Sequence, residues 1–284
     1  MTPFIQFDSV SKTYPKQIGE KASHTALKSI SFTLNEGETL GLVGLNGAGK
    51  STSIKMIMGF MRPSSGSIMV MGESPENPHI RSQIGYLPEI ANFPQHLTCM
   101  DMMRFAGTTT GMSKKAIHTA SEKWLNQLNI WEDRNRMLRN FSKGMQQRMS
   151  FAMALIHDPK LLILDEPMSG LDPLGRAEIV SLIQTLRAEG KSILFCSHLL
   201  DDVERLVNRL IILHRGTIAF DGDISEIRQN MGEWIVKVEG DKTVTTNSRE
   251  TLKKTLEENS SSIIEVTPPK LDHFFIQTIG SNND

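Results

Sequence analysis

Residues 44–52 read Gly-Leu-Asn-Gly-Ala-Gly-Lys-Ser-Thr and directly follow a short apolar run at 40–43. Glycines let a backbone wrap closely around a bound group and point several N–H groups at it. A helix that begins near Lys50 would add its positive N-terminal dipole at the same place. The order strand, loop, helix and the pattern G-x-x-x-x-G-K-[ST] predict a phosphate-binding loop rather than a structural glycine turn.

The side chains of this loop predict the compound that it binds. A lysine at the end of the pattern reaches the β- and γ-phosphates of a nucleotide, and the hydroxyl after it ligates Mg²⁺. We therefore expect Lys50 on the phosphates of ATP and Ser51 on Mg²⁺. The predicted nucleotide-binding residues of the loop are Gly44, Asn46, Gly47, Ala48, Gly49, Lys50, Ser51 and Thr52.

Other apolar runs predict the sheet that carries the loop. They lie at residues 40–43, 67–71, 84–87, 161–164, 192–196 and 210–213. Short continuous runs of this kind are typical of strands buried on both faces of a sheet. Helical patterns lie between several of them, for example at 174–189. The alternation predicts an α/β fold with a mostly parallel sheet.

Two parts of the chain depart from this alternation. Residues from about 92 to 156 are helical in pattern, which predicts a helical subdomain inserted between two strands. Past Gly232, strand-like and helical patterns alternate again over a short length. We therefore predict a main domain at 1–231 and a small C-terminal βαβα appendage, of α+β type, at 232–284.

The apolar run at 161–164 ends in two carboxylates, Asp165 and Glu166. An aspartate at a strand end can hold Mg²⁺ beside the phosphates. The next carboxylate can orient the attacking water and remove its proton. Such a strand end alone is equally consistent with a solvated turn. Together with the glycine loop it predicts hydrolysis, with Asp165 on the metal and Glu166 as the base.

These motifs together resemble the ATP-binding cassette ATPases of ABC transporters, over about residues 3–230. The resemblance implies a P-loop ATPase core with a parallel sheet, an antiparallel β subdomain and an inserted helical subdomain. The motif that distinguishes this family, LSGGQ, reads Phe-Ser-Lys-Gly-Met at 141–145. It departs from the usual form at three of five positions but keeps the serine and the second glycine.

The resemblance implies that this signature segment closes over ATP held by another cassette, which is a second copy of the chain or a homologue. The residues concerned are Ser142, Lys143, Gly144 and Met145. Ser142 would also serve as an ordinary N-cap of the following helix. Both interpretations can hold, because a capped helix N-terminus is itself an anion site.

Three smaller motifs match the family in order. Asp172, in Ser-Gly-Leu-Asp-Pro, resembles the residue that couples the two active sites of a dimer. His198 follows the run at 192–196 and resembles the histidine that contacts the γ-phosphate and positions water; a structural histidine is the alternative. Tyr14 lies where the family stacks an aromatic ring on adenine, and it could instead pack locally.

Glu89 occupies a position where the family normally has glutamine, after the run at 84–87. The resemblance implies contact with Mg²⁺ and with the membrane subunit. A carboxylate can still ligate Mg²⁺, but it adds a negative charge and cannot donate a hydrogen bond. A solvated loop carboxylate is the alternative. The Leu-Pro-Glu form resembles a branch of bacterial exporters, whose cassettes also carry similar signature segments.

Composition limits the partners. The chain has 284 residues and a formal net charge of −1, which gives no reason to expect a nucleic acid partner. No signal peptide is evident, and no apolar run is long enough to span a bilayer. We therefore expect a cytoplasmic protein that lies at the inner face of the cell membrane through a multi-span permease partner.

The resemblance favours the energy subunit of an exporter with separate membrane subunits. The ending at 270–280 resembles the tails of export cassettes, although it could be a packing helix without influence on cargo. The alternative function is a cassette ATPase that drives a process other than transport, on ribosomes or DNA or in motility or protein localisation.

Overall fold

A computed structural model describes residues 3–15, 23–198, 200–230, 234–238, 242–246, 249–258, 263–267 and 271–280. The strands are β1 (Ile5–Tyr14), β2 (His24–Leu34), β3 (Thr39–Val43), β4 (Ser65–Val70), β5 (Ile84–Leu87), β6 (Leu161–Asp165), β7 (Ser192–Cys196), β8 (Arg209–His214), β9 (Thr217–Asp223), β10 (Trp234–Val238), β11 (Lys242–Thr246) and β12 (Ile263–Thr267). The helices are α1 (Lys50–Ile57), α2 (Pro78–Arg81), α3 (Cys99–Thr109), α4 (Lys114–Gln127), α5 (Lys143–Leu155), α6 (Pro173–Ala188), α7 (Leu200–Leu206), α8 (Ile224–Asn230), α9 (Arg249–Glu258) and α10 (Leu271–Gly280).

A six-stranded sheet in the order β5-β6-β7-β3-β8-β9 forms the centre of the fold. Its first five strands run parallel, and β9 pairs antiparallel with β8. Every residue of β3, β6 and β7 is buried, as expected for strands covered on both faces. The α/β prediction is confirmed. Because parallel strands end at one edge, the segments that follow β3, β5, β6 and β7 meet there.

One predicted strand belongs to a different sheet. The run at 67–71 corresponds to β4, which pairs with β1 in an antiparallel sheet of order β2-β1-β4. The prediction that this run joins the parallel sheet is therefore wrong. Residues of β4 do not stay buried along its length, because only one face of this sheet is covered. The antiparallel β subdomain implied by the family resemblance is present.

The apolar residues form two large clusters on opposite faces of the central sheet. Successive residues of a strand point to opposite faces, and β6 illustrates this: Leu161 and Ile163 belong to the cluster beneath the antiparallel sheet and α1. Leu162 and Leu164 belong to the cluster that includes residues of α3 to α7. The edge at which β3, β5, β6 and β7 end therefore belongs to a sheet that is packed on both faces.

The predicted helical region at 92–156 contains α3, α4 and α5, but it is not helical throughout. Asn129 adopts a left-handed backbone (φ 57°) just after α4 and ends it. The chain then passes through a turn at 132–135 and a short 3₁₀ turn, Leu138–Asn140, before Ser142 caps α5. The apolar periodicity of the sequence continues across this connection, so it does not reveal that α4 ends before Asn129.

The C-terminal appendage has one strand more than predicted, because it follows the order ββαβα. Its strands form a sheet of order β11-β10-β12. Helix α10 packs on the main core: Leu271 is buried there, and the Phe274 ring meets Phe220 edge to face with centroids 5.0 Å apart. The predicted boundary at Gly232 lies outside the described residues. In the ranges given above, no helix is long and apolar enough to cross a membrane.

Candidate functional site

The loop between β3 and α1 is held by close contact with its own chain. Gly49 is the N-cap of α1 and has a left-handed backbone (φ 116°). A Cβ at Gly49 would lie 2.5 Å from Leu27 Cδ2, and one at Gly44 would lie 2.4 Å from the Leu213 carbonyl oxygen. Both positions therefore require glycine, as the phosphate-loop pattern predicted.

The Lys50 side chain folds back over this loop. Its Nζ donates hydrogen bonds to the carbonyl oxygen of Gly44 at 2.6 Å and to that of Leu45 at 3.4 Å. The first turn of α1 contains no acidic residue, so nothing there offsets the positive end of the helix. An ammonium group and a helix N-terminus at one loop form an anion site.

Tyr14 contributes to a cavity of about 130 Å³ that is also lined by the loop. Its ring stacks on His24, with centroids 6.5 Å apart and 17° between the planes. Its hydroxyl lies 3.3 Å from Thr52 Oγ1 and 3.3 Å from Met61 Sδ. His24 was not predicted. The β1–β2 register brings it opposite Tyr14, and only that pairing could have identified it.

Asp165 ends β6 beside Glu166 and near charged groups that are distant in sequence, including Glu89 and Lys50. It is buried, and burial together with the Glu89 and Glu166 carboxylates raises its pKa to about 6, against the opposing effect of Lys50. The fold therefore brings the glycine loop, the β6 end and the exposed loop after β5 to one place. The negative charge collected around Asp165 is what a divalent cation would neutralise.

Glu166 is buried and has a left-handed backbone (φ 49°), which is strained for a residue with a side chain. Its N–H donates to the Cys196 carbonyl at 2.9 Å, and its carbonyl accepts from the Ser169 N–H at 3.0 Å. These bonds hold a turn that directs the carboxylate toward the end of β7. Strain of this kind is concentrated at functional sites.

Two residues from the end of β7 hold the Glu166 carboxylate. His198 Nδ1 lies 2.8 Å from Oε1, and Ser197 Oγ donates to Oε2 at 3.2 Å. The Glu166 side chain is 11% exposed and that of His198 is 63% exposed, so the histidine covers the carboxylate from the solvent side. Ser197 was not predicted. The sequence feature that could have identified it is its place as a polar residue between the buried strand β7 and His198.

The signature segment lies at the start of α5. Ser142 Oγ accepts a hydrogen bond from the Met145 N–H at 3.2 Å, which confirms the N-cap interpretation. Ser142 and Lys143 are exposed, whereas Gly144 and Met145 are half-buried. The first turn of α5 carries no acidic side chain. The segment therefore presents an open helix N-terminus that suits an anion.

Asp172 caps the helix that follows it, and the segment just before it contacts the signature segment within one chain. Asp172 Oδ1 accepts from the Gly175 N–H at 2.8 Å and caps α6. Gly170 has a φ of 75°, and a Cβ there would lie 2.6 Å from Lys143 Cδ. The two segments are therefore packed together at one surface.

The donor set fits Mg²⁺ bound jointly with a nucleotide. Over the described part of the chain, no group of three or more His, Cys, Asp and Glu side chains could hold a metal ion alone. Mg²⁺ in nucleotide sites uses one or two carboxylates together with waters and phosphate oxygens. Asp165 beside the phosphate loop meets this requirement.

A glycine loop with its lysine, a strand-end aspartate and a glutamate held by histidine define a P-loop nucleotide hydrolase. Residues 27–169 match the family described as "ABC transporter". The ABC transporter ATP-binding protein YxlF of Bacillus subtilis is 36% identical over 79% of this chain and 72% of its own length. The Nod factor export ATP-binding protein I of Cupriavidus metallidurans is 33% identical over 85% and 78%.

Solved structures give the same result. The ATP-binding subunit of an ABC transporter has a TM-score of 0.71 and 32% identity over 80% of this chain and 92% of that one. The dimeric cassette MJ0796 has a TM-score of 0.70 and 25% identity over 78% and 98%. The chain belongs to the ATP-binding cassette family of ABC transporter subunits, and it is an ATPase.

Proposed function

We propose that this chain powers export through separate membrane subunits by closing with a second cassette around ATP and Mg²⁺. The arrangement of Glu166, Ser197 and His198 at the phosphate-loop edge carries the hydrolytic part of this proposal. The exposed N-terminus of α5 carries the dimeric part.

Binding of ATP is assigned to the loop after β3. The backbone N–H groups from Gly44 to Thr52 surround the phosphates, and Lys50 exchanges its bonds to loop carbonyls for the β- and γ-phosphates. Asn46, Gly47, Ala48 and Gly49 form the loop wall. Tyr14 stacks on the adenine ring, and its place in the same cavity supports this role.

Mg²⁺ is assigned to Ser51, Asp165 and Glu89, together with the phosphates. When bound, it neutralises charge that develops on the phosphate oxygens. The Ser51 hydroxyl and the Asp165 carboxylate flank the loop, and the pKa of Asp165 responds to Glu89. These three residues therefore orient the triphosphate tail for displacement.

Glu166 is assigned as the base that orients water and accepts its proton, and His198 contacts the γ-phosphate and holds the water. A base needs a fixed direction, and the two hydrogen-bonding partners of its carboxylate supply that. Phosphoryl transfer to water depends mainly on positioning and on charge stabilisation. The chain therefore needs no covalent intermediate.

The γ-phosphate is enclosed by the Ser142, Lys143, Gly144 and Met145 segment of a second cassette, and Asp172 couples the two sites. In the described part of the chain, the Ser142 hydroxyl makes one hydrogen bond, to its own helix. The relative MJ0796 was solved as a dimer, which supports this arrangement. ATP is then part of the interface, and hydrolysis releases it.

The membrane partner is a multi-span permease, and the chain acts at the inner face of the cell membrane. The direction of transport rests on the Leu-Pro-Glu loop at Glu89 and on the C-terminal tail. The Nod factor export protein among its relatives supports the same direction.

The variant Glu166→Gln tests the proposal. It retains the shape of the side chain but cannot accept the proton, so we expect ATP-Mg²⁺ to trap a dimer in sedimentation velocity, with hydrolysis lowered at least about a hundred-fold. The double variant Lys50→Ala/Glu166→Gln is the control and should stay monomeric. We also expect a multi-span protein to co-purify with the ATP-bound Glu166→Gln form from membranes. Near-normal hydrolysis by Glu166→Gln would remove Glu166 as the base.

A further inference from the structure

One buried side chain of α5 connects the signature helix to the strained backbone of Glu166. Gln147 is 5% exposed. Its Nε2 donates to the Pro167 carbonyl oxygen at 2.9 Å and lies 3.5 Å from the Glu166 carbonyl oxygen. An amide NH₂ group has two hydrogens, so one side chain can serve both carbonyls.

The position of these carbonyls determines the direction of the catalytic carboxylate. Glu166 adopts a left-handed backbone, which persists only where its surroundings impose it. Pro167 has no N–H, so the peptide after Glu166 can be held only through carbonyl oxygens. The Ser169 N–H holds the Glu166 carbonyl from within the turn. From α5, Gln147 supplies the hydrogen bonds to the Glu166 and Pro167 carbonyls of this turn.

We propose that Gln147 is a positioning residue that fixes the Glu166 peptide and thereby aligns the base with the water it activates. This inference rests on the proposed function of Glu166. Gln147 lies in α5, the helix that Ser142 caps. When the N-terminus of α5 meets the phosphates held by the other cassette, α5 can shift. Gln147 then transmits this shift to Glu166, the base of its own chain.

The first test compares two neighbouring glutamines. Gln147→Met keeps a long side chain but removes the donor, and we expect kcat to fall about ten-fold or more while the KM for ATP stays within about two-fold. The matched control is Gln146→Met. Gln146 Nε2 donates to the Phe141 carbonyl at 3.4 Å, away from Glu166, so this variant should keep the wild-type kcat.

A second variant tests whether lost packing, and not the lost hydrogen bonds, explains the effect of Gln147→Met. Gln147→Glu preserves the side-chain shape and replaces the NH₂ group by an oxygen, which faces two carbonyl oxygens. We expect the same fall in kcat at unchanged KM. Wild-type kcat in both variants, or a proportional change of kcat and KM, would contradict the inference.

A mixed dimer separates action through Glu166 from action through the signature segment. Lys50→Ala in one chain confines turnover to the ATP held by the other chain, whose own Glu166 is the base. Gln147→Met in the ATP-holding chain should lower turnover about ten-fold, and in the Lys50→Ala chain less than about two-fold. Equal losses from both chains would overturn the proposal. If Glu166→Gln forms no ATP-dependent dimer, the proposed function fails instead.

Discussion

The phosphate loop and the signature segment both lie at helix N-termini, yet their surroundings differ. The loop is pressed against its own chain: a Cβ at Gly49 would lie 2.5 Å from Leu27, and Lys50 is hydrogen-bonded to loop carbonyls. The signature segment is open: the nearest atom to a Cβ at Gly144 is 3.6 Å away, and Ser142 is exposed.

This difference fits the proposal that the phosphate loop is complete within one chain, whereas the signature segment acts on the ATP of another. A preformed loop can hold ATP in a single chain. An exposed helix N-terminus without nearby acidic groups gains most when a separate body brings phosphate to it. The contrast supports a site divided between two cassettes.

The largest expected effect is the loss of the loop ammonium. Lys50→Ala removes the charge beside the phosphates, and we expect hydrolysis to fall by a factor on the order of 10²–10³ with weakened ATP binding by the isolated chain. Lys55→Ala, an exposed change in the same helix, should stay within about two-fold. A fluorescent ATP analogue and a phosphate-release assay measure both effects.

Matched glycine changes should affect the two regions in opposite ways. Gly49→Ala introduces a left-handed alanine and a clash with Leu27, so the free energy of unfolding should fall by about 2–4 kcal/mol. Gly144→Ala lies in a helix with space for a methyl group, so that free energy should stay equal or rise by up to about 1 kcal/mol. Urea denaturation of nucleotide-free protein measures both.

The activities of the glycine variants sharpen this contrast. Gly144→Ala should leave ATP binding by the isolated chain intact and lower hydrolysis, because its methyl group lies where the other cassette's phosphate would approach. Equal destabilisation by Gly49→Ala and Gly144→Ala would mean that the two helix N-termini are packed equally tightly. That result would contradict the difference between the phosphate loop and the signature segment.

The smallest expected effect is at Glu89. Glu89→Gln removes one of the carboxylates that raise the pKa of Asp165, so that pKa falls from its value of about 6. Deprotonated Asp165 is the form proposed to hold Mg²⁺. The acid limb of the rate profile should therefore shift to lower pH, while the maximal rate changes less than about three-fold. An unchanged acid limb would mean that Glu89 does not influence Asp165 at the metal site.

The sequence predicted what local chemistry determines. Loop glycines, Lys50 and the strand-end pair Asp165 and Glu166 are recognisable because each motif is contiguous and phosphate chemistry requires those residue types. The parallel sheet followed from continuous apolar runs. The family comparisons confirm the class of protein and the fold, and the individual residue roles remain predictions.

Features that depend on pairing between distant segments were missed. His24 reaches Tyr14 only through the β1–β2 register, and Ser197 reaches Glu166 because β6 and β7 are neighbours. The run at 67–71 was assigned to the wrong sheet because a run's composition does not reveal its partner strand. β11 was missed because Lys-Thr-Val-Thr-Thr carries a single large apolar residue and resembles a loop.

The most direct test of a divided site is complementation between two inactive chains. Lys50→Ala disables the phosphate loop. Ser142→Asp keeps a good helix N-cap but puts a negative charge where the other cassette's phosphate would lie. Each variant alone should be nearly inactive. Mixed in equal amounts, the two should recover hydrolysis, because one dimer type pairs an intact loop with an intact signature segment. Hydrolysis that stays at the level of the separate variants at every mixing ratio would contradict the account.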